Sequence, residues 1–219
     1  MTGLEMDSNF VLASASPRRW VLLKALGLEP VVEPTRVDES WPDDDPDQAV
    51  VLAEQKLEWS LNHQSPGTVV LAADTIVRLG NRVLGKPEDA DEARAMLASL
   101  ADRDHIVTSG VAIGIAGGMR RSIRVDSTVH LNSLSTERIA AYVAGGSPLD
   151  KAGAYAVQDA HGEFPDFETI RRADRQGRYQ PAGSWLVGCV IGSLSNVIGL
   201  PLGKTVTLLR AFGIEVDYV

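Results

Sequence analysis

The sequence predicts an α/β fold built around a mixed β-sheet, and three observations lead to this prediction. Apolar runs of strand length alternate with helical patterns in the first half of the chain. Glycine turns join apolar runs in the middle of the chain, which indicates hairpins. The length of 219 residues, with 44% apolar and 23% charged residues, is that of an ordinary globular protein with a large core.

Strands and helices alternate in the first half of the chain. Residues 9–15 form a short apolar run that predicts a buried strand. A helix should follow over residues 16–28, with Ser16 as its N-cap and Pro17 in its first turn. A second helix should begin after Asp47, because the apolar residues that follow recur at helical spacing.

Hairpins dominate the middle of the chain. Two tight turns are indicated, at Gly80-Asn81 and at Gly117-Gly118. Strands are predicted over residues 69–79, 105–116 and 122–131, and a partner strand of the first ends near Leu84. A helix is predicted over residues 90–100. Hairpins beside alternating strands and helices make the predicted sheet mixed.

The last third of the chain is predicted to close the fold. Its regular elements are a helix from near Ser135, a strand over residues 185–191 and a helix over residues 204–212. The polar stretch rich in Arg and Asp at about residues 159–183 predicts a long surface insertion. Residues 1–8 are interpreted as an N-terminal extension of a single domain.

Charge and cysteine content exclude several classes of function. The net charge is −8, so the molecule should repel DNA, RNA and anionic membranes, and we expect no nucleic-acid or membrane partner. No run reaches transmembrane length, and residues 1–8 lack a secretory pattern. Cys189 is the single cysteine and lies in an apolar run, which predicts a buried structural thiol in a reducing, cytoplasmic setting.

The first chemical signal is the segment ASASPRR at residues 13–19. It places Ser14, Ser16, Arg18 and Arg19 where a strand meets the start of a helix. Free N–H groups and the helix dipole favour an anion at such a junction, and guanidinium groups suit phosphate oxygens. A phosphate site and an ordinary serine cap followed by two surface arginines explain these residues equally well.

The second signal is Asp74, which precedes Thr75 and interrupts an otherwise apolar strand. A buried or half-buried carboxylate is costly without a partner, so it usually meets a cation, a metal or a proton to move. Capping of a nearby turn is the alternative. The apolar strand on both sides favours a functional carboxylate.

Other polar residues would complete a site for a triphosphate. Lys56, Lys86 and Lys151 supply separated cations, although each alone is typical of a protein surface. Gln158 offers both a donor and an acceptor to a base edge. Two stretches with nearly the spacing of a P-loop are rejected, because the first has proline in place of the magnesium-binding hydroxyl and the second is one residue too short.

Taken in order, these segments resemble the Maf family of nucleotide pyrophosphatases. The resemblance covers nearly the whole chain, from about Asn9 to Phe212. It is carried by LASASPRR at residues 12–19, VDE at 37–39, QK at 55–56, ADT at 73–75, GKP at 85–87, KAGAYAVQ at 151–158 and NVIGLPL at 196–202. So many ordered matches are not expected by chance.

The resemblance implies a fold like that of inosine triphosphate pyrophosphatases: an elongated mixed sheet flanked by helices, with two lobes and a central cleft. It implies that water attacks the α-phosphate of a nucleoside triphosphate and that pyrophosphate leaves. Asp74 matches the family's proton acceptor, and Lys56 and Lys86 are expected to act with it in catalysis. The expected substrate-binding residues are Ser14, Ser16, Arg18, Arg19, Thr75, Lys151 and Gln158.

The resemblance also suggests a substrate. Arg18, Thr75 and Gln158 match positions tied to substrate choice in the branch that prefers dTTP and UTP, whereas the branch acting on 7-methyl-GTP differs there. Pyrimidine triphosphates, canonical or modified, are therefore the expected substrates. The polar insertion departs from the family pattern and is expected to reshape the base pocket.

Triphosphate hydrolysis needs charge neutralisation, so we expect a divalent metal cofactor, Mg²⁺ or Mn²⁺. Glu39, with Asp38 beside it, and Asp74 are the expected ligands, although Asp74 would alternatively take the proton of water directly. The resemblance and the hairpin edges predict a homodimer. The alternative function is a nucleotide-binding regulator of cell division with little turnover, since members of this family were named for inhibition of septum formation.

Overall fold

The computed structural model describes residues 9–39, 45–160, 164–216 and 218 of the chain. The strands are β1 (Phe10–Ala13), β2 (Val31–Val32), β3 (Val69–Leu79), β4 (Arg82–Leu84), β5 (Asp104–Ile115), β6 (Arg120–Leu131), β7 (Arg178–Tyr179) and β8 (Val187–Ile191). The α-helices are α1 (Pro17–Ala25), α2 (Gln48–Leu61), α3 (Ala90–Leu100), α4 (Thr136–Ala144), α5 (Phe167–Gln176), α6 (Leu194–Ile198) and α7 (Leu202–Ala211). Short 3-10 helices cover Ser147–Asp150, Ala152–Ala154 and Val157–Ala160.

The strands form one mixed sheet flanked by helices, which confirms the predicted fold class. The strand order is β2-β1-β3-β5-β6-β8-β7, and β4 pairs with the end of β3. β1 runs parallel to β2 and β3, whereas β3, β5, β6, β8 and β7 are successively antiparallel. Helical crossovers join the parallel strands, and a hairpin joins β5 to β6, as the alternation and the glycine turns predict.

Apolar side chains cover both faces of the sheet. On one face, Leu57 and Leu61 of α2 pack in a cluster with small strand residues such as Ala72 and Ala112. Neighbouring strand residues such as Leu71 belong to a larger cluster with the other helices, because successive side chains of a strand point to opposite faces. Full burial of a side chain such as Leu57 stabilises the fold by roughly 1.5–3 kcal/mol.

A glycine in β5 brings the start of α2 close to the sheet. Gly110 is the register partner of Asp74 on β3. A Cβ atom at position 110 would lie 2.2 Å from the carbonyl oxygen of Ala49, in the first turn of α2. Any other residue would have to push α2 away, because a helix backbone cannot yield as a flexible side chain does. Glycine therefore allows α2 to lie where Lys56 contacts Asp74.

Helix α1 confirms the predicted strand-to-helix junction but differs from the prediction in two details. It ends at Ala25, earlier than predicted, and Gly27 follows in a left-handed conformation with φ of 78°. Ser16 occupies the N-cap position, but its side chain makes no cap hydrogen bond, so the predicted serine cap is wrong. Instead, the N–H of Ser16 donates to Oγ of Ser14 at 3.2 Å.

The polar stretch predicted as a surface insertion contains a helix and a strand that the sequence analysis missed. α5 begins after Asp166, whose side chain accepts the N–H of Thr169, and it ends at a left-handed Gly177. Its Ile170 and Ala173 are buried in the larger apolar cluster, and β7 pairs with β8. The polar composition concealed a strongly one-sided helix with few but regularly spaced apolar residues.

Other elements and residues differ from expectation in smaller ways. β2 and α6 were also missed, because each is too short to show a period. Cys189 on β8 is partly exposed, so the prediction of a buried thiol is wrong. Most of the acidic run after Glu39, residues 40–44, lies outside the described residues. Within the described ranges, no helix has the length and apolar character that crossing a membrane requires.

Candidate functional site

One cleft brings together every predicted site residue. Its volume is about 830 Å³. Its lining includes Ser14, Ser16, Arg18, Arg19, Glu39, Lys56, Asp74, Thr75, Lys86, Lys151 and Gln158. These residues come from the turn between β1 and α1, from the first turn of α1, from the segment between β2 and α2, from α2, from the middle of β3, from the segment after β4 and from the segment that contains the 3-10 helices. Residues that are far apart in the sequence therefore share one surface.

The floor of the cleft is built around Arg19. Its Nε donates to the carbonyl oxygen of Gly199 at 2.9 Å, and its Nη1 donates to Oγ of Ser14 at 2.8 Å. Its Nη2 donates to Oγ1 of Thr75 at 3.2 Å, and a further hydrogen bond of 2.9 Å joins that atom to Oγ of Ser109. These five residues form the floor network, which connects β1, α1, β3, β5 and the segment after α6.

Arg19 is held inside the protein, with 8% of its surface exposed. Burial lowers the pKa of its guanidinium, whereas the negative charge of Asp74 acts in the opposite direction. A buried cation is tolerated only when its donors find acceptors, and the three hydrogen bonds supply them. Arg19 therefore has fewer donors to offer a substrate than the partly exposed Arg18 beside it.

A second group of cleft residues, the carboxylate–lysine cluster, consists of Glu39, Lys56, Asp74 and Lys86. Nζ of Lys56 lies 2.6 Å from Oε1 of Glu39 and 2.6 Å from Oδ1 of Asp74. Nζ of Lys86 lies 3.3 Å from Oε2 of Glu39. The side chain of Lys56 is 6% exposed, whereas that of Lys86 is 62% exposed. Two carboxylates thus converge on one buried ammonium group, and a second, exposed ammonium group lies at the edge.

The electrostatics of this cluster keep Glu39 ionised. Burial alone would raise its pKa, but the hydrogen bonds and charges of Lys56 and Lys86 outweigh burial and hold that pKa below its ordinary value. Oxygen ligands around a point already occupied by a cation suit a hard divalent ion. The described residues contain no group of three or more His, Cys, Asp or Glu that could hold a metal. A metal here would therefore need phosphate oxygens and water as further ligands.

Part of the cleft lining comes from the segment of 3-10 helices between α4 and α5. Nζ of Lys151 donates to the carbonyl oxygen of Ser147 and to Oδ1 of Asp150, both at 2.5 Å. Burial would raise the pKa of Asp150, but Lys151 and, less strongly, Arg18 outweigh burial and lower it. Arg18 is therefore close enough to act electrostatically on this segment, which ends with Gln158 and its neighbours.

The cleft also contains polar residues that the sequence analysis did not single out, namely Gln48, Arg82, Glu88, Glu92 and Tyr155. Gln48 is the first residue of α2, and its Oε1 is buried without a hydrogen-bond partner among the described residues. Oε2 of Glu92 accepts the N–H of Glu88 at 2.6 Å, so two acids border the cleft near the start of α3. Of these residues, only Tyr155 belongs to a segment that the sequence analysis used, KAGAYAVQ, so only its place in the cleft had a sequence signal.

The residues of the cleft can perform a coherent set of tasks. Guanidinium and ammonium groups neutralise phosphate oxygens, and the N-terminus of α1 adds N–H groups that its N-cap side chain leaves unbonded. A carboxylate held by a lysine can orient a water molecule. An α/β fold with such a cleft defines a class of protein that is equipped to bind and hydrolyse a phosphate anhydride.

Comparison with known proteins gives the family. Residues 9–174 match the family model described as Maf-like protein, and the chain belongs to this family. A relative from Myxococcus xanthus is 41% identical over 210 residues, which cover 95% of this chain and 94% of the relative. A relative from Moorella thermoacetica is 39% identical over 214 residues, which cover 95% of this chain and 97% of the relative. Both relatives are named dTTP/UTP pyrophosphatase.

Two solved structures also show similarity. A nucleoside-triphosphatase, or dITP/XTP pyrophosphatase, from Mycobacterium abscessus has a TM-score of 0.35 and 17% identity and covers 57% of this chain and 74% of its own. A HAM1 protein from Coxiella burnetii has a TM-score of 0.42 and 16% identity and covers 68% of this chain and 88% of its own. Both scores are low, so the fold assignment rests on the strand order of this chain and on the family match.

Proposed function

We propose that this protein is a nucleoside triphosphate pyrophosphatase that hydrolyses dTTP and UTP to the monophosphate and pyrophosphate. The observation that carries the proposal is Nζ of Lys56, which lies 2.6 Å from both Asp74 and Glu39 inside a cleft lined by further cations. The relatives' shared name, dTTP/UTP pyrophosphatase, supports the same reaction. We propose that water attacks the α-phosphate, which makes pyrophosphate the leaving group.

Cationic groups of the cleft would bind the triphosphate. Arg18 is partly exposed beside the start of α1, and Lys86 is largely exposed at the edge of the carboxylate–lysine cluster. Both can reach phosphate oxygens without giving up buried hydrogen bonds. Lys151 would have to exchange its contacts with Asp150 and Ser147 for a phosphate oxygen. Neutralisation of the leaving pyrophosphate lowers the barrier to cleavage of the anhydride.

Asp74 would activate the attacking water. The water oxygen forms a bond to the α-phosphorus, the bond between that phosphorus and the bridging oxygen breaks, and the electron pair leaves with pyrophosphate. The proton of the water passes to the carboxylate of Asp74, whose other oxygen stays bonded to Lys56. Because Lys56 is buried and also bonded to Glu39, it holds the carboxylate in one orientation.

Glu39 and Asp74 would also hold a divalent metal ion, Mg²⁺ or Mn²⁺. Lys56 bonds Oε1 of Glu39 and Oδ1 of Asp74, so the second oxygen of each carboxylate would face the ion, and oxygen-rich sites that share substrate phosphates suit these ions. When bound, the ion would neutralise charge on the phosphate oxygens. Glu39 can turn toward it without a large cost, because that side chain is 47% exposed.

The choice of a pyrimidine base would depend on Arg18, Thr75 and Gln158. All three line the cleft, and Thr75 is fixed by its hydrogen bonds with Arg19 and Ser109. A fixed hydroxyl and a side-chain amide can discriminate between base edges more strongly than apolar contacts can. The alternative function, a nucleotide-binding regulator with little turnover, is not favoured, because binding alone has no use for the Asp74–Lys56 pair.

We also propose that the protein works as a cytoplasmic homodimer. The edge strand β2 exposes Val31 and Val32, at 42% and 44%, and an exposed apolar edge favours pairing with another chain. Light scattering at several protein concentrations should give twice the mass of one chain. A constant monomer mass would contradict the dimer.

The test of the function is product analysis with a panel of canonical and modified nucleoside triphosphates, with Mg²⁺, Mn²⁺ or chelator. We expect metal-dependent release of pyrophosphate, fastest with dTTP and UTP. In water labelled with ¹⁸O the label should appear in the monophosphate. Label in pyrophosphate, or release of inorganic phosphate and a diphosphate, would contradict attack at the α-phosphate. No turnover with retained nucleotide binding would support the regulator.

A further inference from the structure

We propose that Asp174, on α5, is a positioning residue of the cleft and acts on the floor network through α6. This inference rests on the proposed function, since it concerns the same cleft. Asp174 lies in the polar stretch that departs from the family pattern. No described residue between positions 159 and 196 lines the cleft, so α5 cannot touch the substrate itself and its influence on the cleft has to be indirect.

The carboxylate of Asp174 accepts hydrogen bonds from three donors at the start of α6 and from Tyr218, which follows α7. Its Oδ1 accepts Oγ–H of Ser193 at 3.1 Å and the N–H of Ser195 at 3.0 Å. Its Oδ2 accepts the hydroxyl of Ser195, and it also accepts the hydroxyl of Tyr218 at 3.3 Å. A carboxylate with several good donors is a strong, directional anchor. The apolar residues of α5, including Ile170, pack in the core and so hold the helix that carries Asp174 in place.

Helix α6 depends on such an anchor because it is only one turn long. A helix of that length has no stability of its own. Oγ of Ser195, while it donates to Asp174, accepts the N–H of Leu202 at 2.8 Å, so the anchor fixes both sides of the turn at Gly199. The N–H of Gly199 in turn bonds the carbonyl oxygen of Ser195 at 3.0 Å.

Gly199 connects α6 to the floor of the cleft. Its carbonyl oxygen accepts Nε of Arg19, and Arg19 positions Ser14 and Thr75. Each link is a hydrogen bond of a buried or half-buried group, and such a group is costly to leave unpaired. Loss of Asp174 should therefore loosen the floor of the cleft without removing any residue that faces it. A displacement of about 1 Å at a site can cost up to about 100-fold in rate.

The experiment compares Asp174→Ala and Asp174→Asn with a matched control, Asp166→Ala. Asp166 caps the other end of the same helix, where both of its carboxylate oxygens accept hydrogen bonds from Thr169. We expect Asp174→Ala to lower kcat/KM for dTTP about tenfold and Asp174→Asn about threefold, since the amide oxygen still accepts hydrogen bonds. The control should lower Tm but leave kcat/KM within about twofold, because caps act on helix stability.

A double-mutant cycle with Arg19→Lys tests whether the effect passes through the floor network. If it does, Asp174→Ala should lower kcat/KM less than about twofold when Arg19 is already replaced. Independent, multiplicative losses would overturn the proposal, and so would an equal loss in Asp166→Ala. If Asp174→Ala does not fold, Asp174→Asn carries the same cycle.

Hydrogen exchange separates this inference from the proposed function. The amides of residues 195–202 should exchange faster in the Asp174 variants than in Asp166→Ala or wild type, whether or not the protein turns over nucleotide. A wild type without pyrophosphatase activity would refute the proposed function and leave this result standing. Unchanged exchange in the Asp174 variants would refute the positioning role, even in an active enzyme.

Discussion

The floor network and the carboxylate–lysine cluster line the same cleft, but they are built in different ways. In the floor network, Arg19 is buried and three of its nitrogen atoms bond protein acceptors. In the cluster, Lys56 is shared by two carboxylates, and the outer members Glu39 and Lys86 are about half exposed or more. The first arrangement is fixed by burial, whereas the second can exchange partners when a substrate arrives.

The comparison shows that the role of a cationic residue in this cleft depends on its burial and partners and not on its residue type. Arg18 and Arg19 are adjacent and identical, yet only Arg19 reaches the carbonyl oxygen of Gly199 and the hydroxyls behind the floor. The helical path of α1 separates neighbouring side chains by about 100° around the helix axis, so one arginine is turned inward and the other remains partly exposed. The place of each arginine on α1 therefore decides whether it orders the floor network, as Arg19 does, or remains available to bind substrate, as Arg18 does.

A large loss of turnover should come from replacing the shared cation of the cluster. In Lys56→Met the carboxylate of Asp74 loses its buried partner, and we expect kcat to fall at least about 100-fold. The matched variant Lys86→Met removes an exposed cation at the edge of the cluster, which bonds Glu39, so it should mainly raise KM, by about tenfold. Steady-state pyrophosphate release measures both. Equal losses of kcat in the two variants would contradict the assignment of the buried lysine to turnover and of the exposed lysine to substrate binding.

A smaller effect separates the two arginines. Arg19→Ala leaves Gly199, Ser14 and Thr75 without their donor, and we expect about 3 kcal/mol lower stability, or roughly a 10 °C fall in Tm. Arg18→Ala should leave Tm within about 1 °C and raise KM about tenfold. Thermal unfolding and kinetics on the same samples test the pair. A stable Arg19→Ala with a pure KM defect would assign Arg19 to substrate binding instead.

A further, pH-dependent effect on stability concerns a buried polar pair next to the cleft. His105 hydrogen-bonds the hydroxyl of Tyr155 through Nε2 at 2.6 Å, and burial lowers its pKa from 6.5 to about 4. Because the unfolded chain then binds the proton more readily, stability should fall as the pH drops from about 6.5 to about 4 and level off below. The shift from 6.5 to about 4 corresponds to a loss of about 3 kcal/mol.

Denaturant unfolding of His105→Gln against wild type measures this contribution. The variant should lose less stability than wild type between these two pH values, since its side chain stays neutral. His130→Gln is the control, because His130 lies partly exposed beside Asp104 instead of in the core. Parallel pH curves for wild type and His105→Gln would show that His105 does not contribute.

The sequence was sufficient to predict the sheet class and a set of residues that line one cleft. Strand and helix periods identify the elements that carry Asp74 and Lys56, and the ordered segments place all predicted site residues in one cleft. The rest depends on tertiary contacts that have no local pattern. α6 is one turn long and is held by contacts from distant segments, such as the hydrogen bonds of Asp174 with Ser193 and Ser195, and α5 shows few apolar residues within a polar stretch.

The division of labour between Arg18 and Arg19 could not be predicted either. It depends on where the carbonyl oxygen of Gly199 lies, and that position is set by a segment 180 residues away in the sequence. The missing serine cap has a similar cause, because the N–H of Ser16 bonds Ser14 and Ser14 also accepts Arg19. The preference of serine for N-cap positions does not reveal that other groups compete for the same hydrogen bonds in the folded protein.

The most direct test of the account is Asp74→Asn, measured for both turnover and binding. We expect kcat for dTTP to fall at least about 1,000-fold, because the amide cannot accept the proton of water. The Kd for dTTP, measured with chelator, should stay within about fivefold, since the cations that bind phosphate remain. Undiminished turnover in this variant would contradict the mechanism, because Asp74 would then be no more than a partner that holds Lys56 in place.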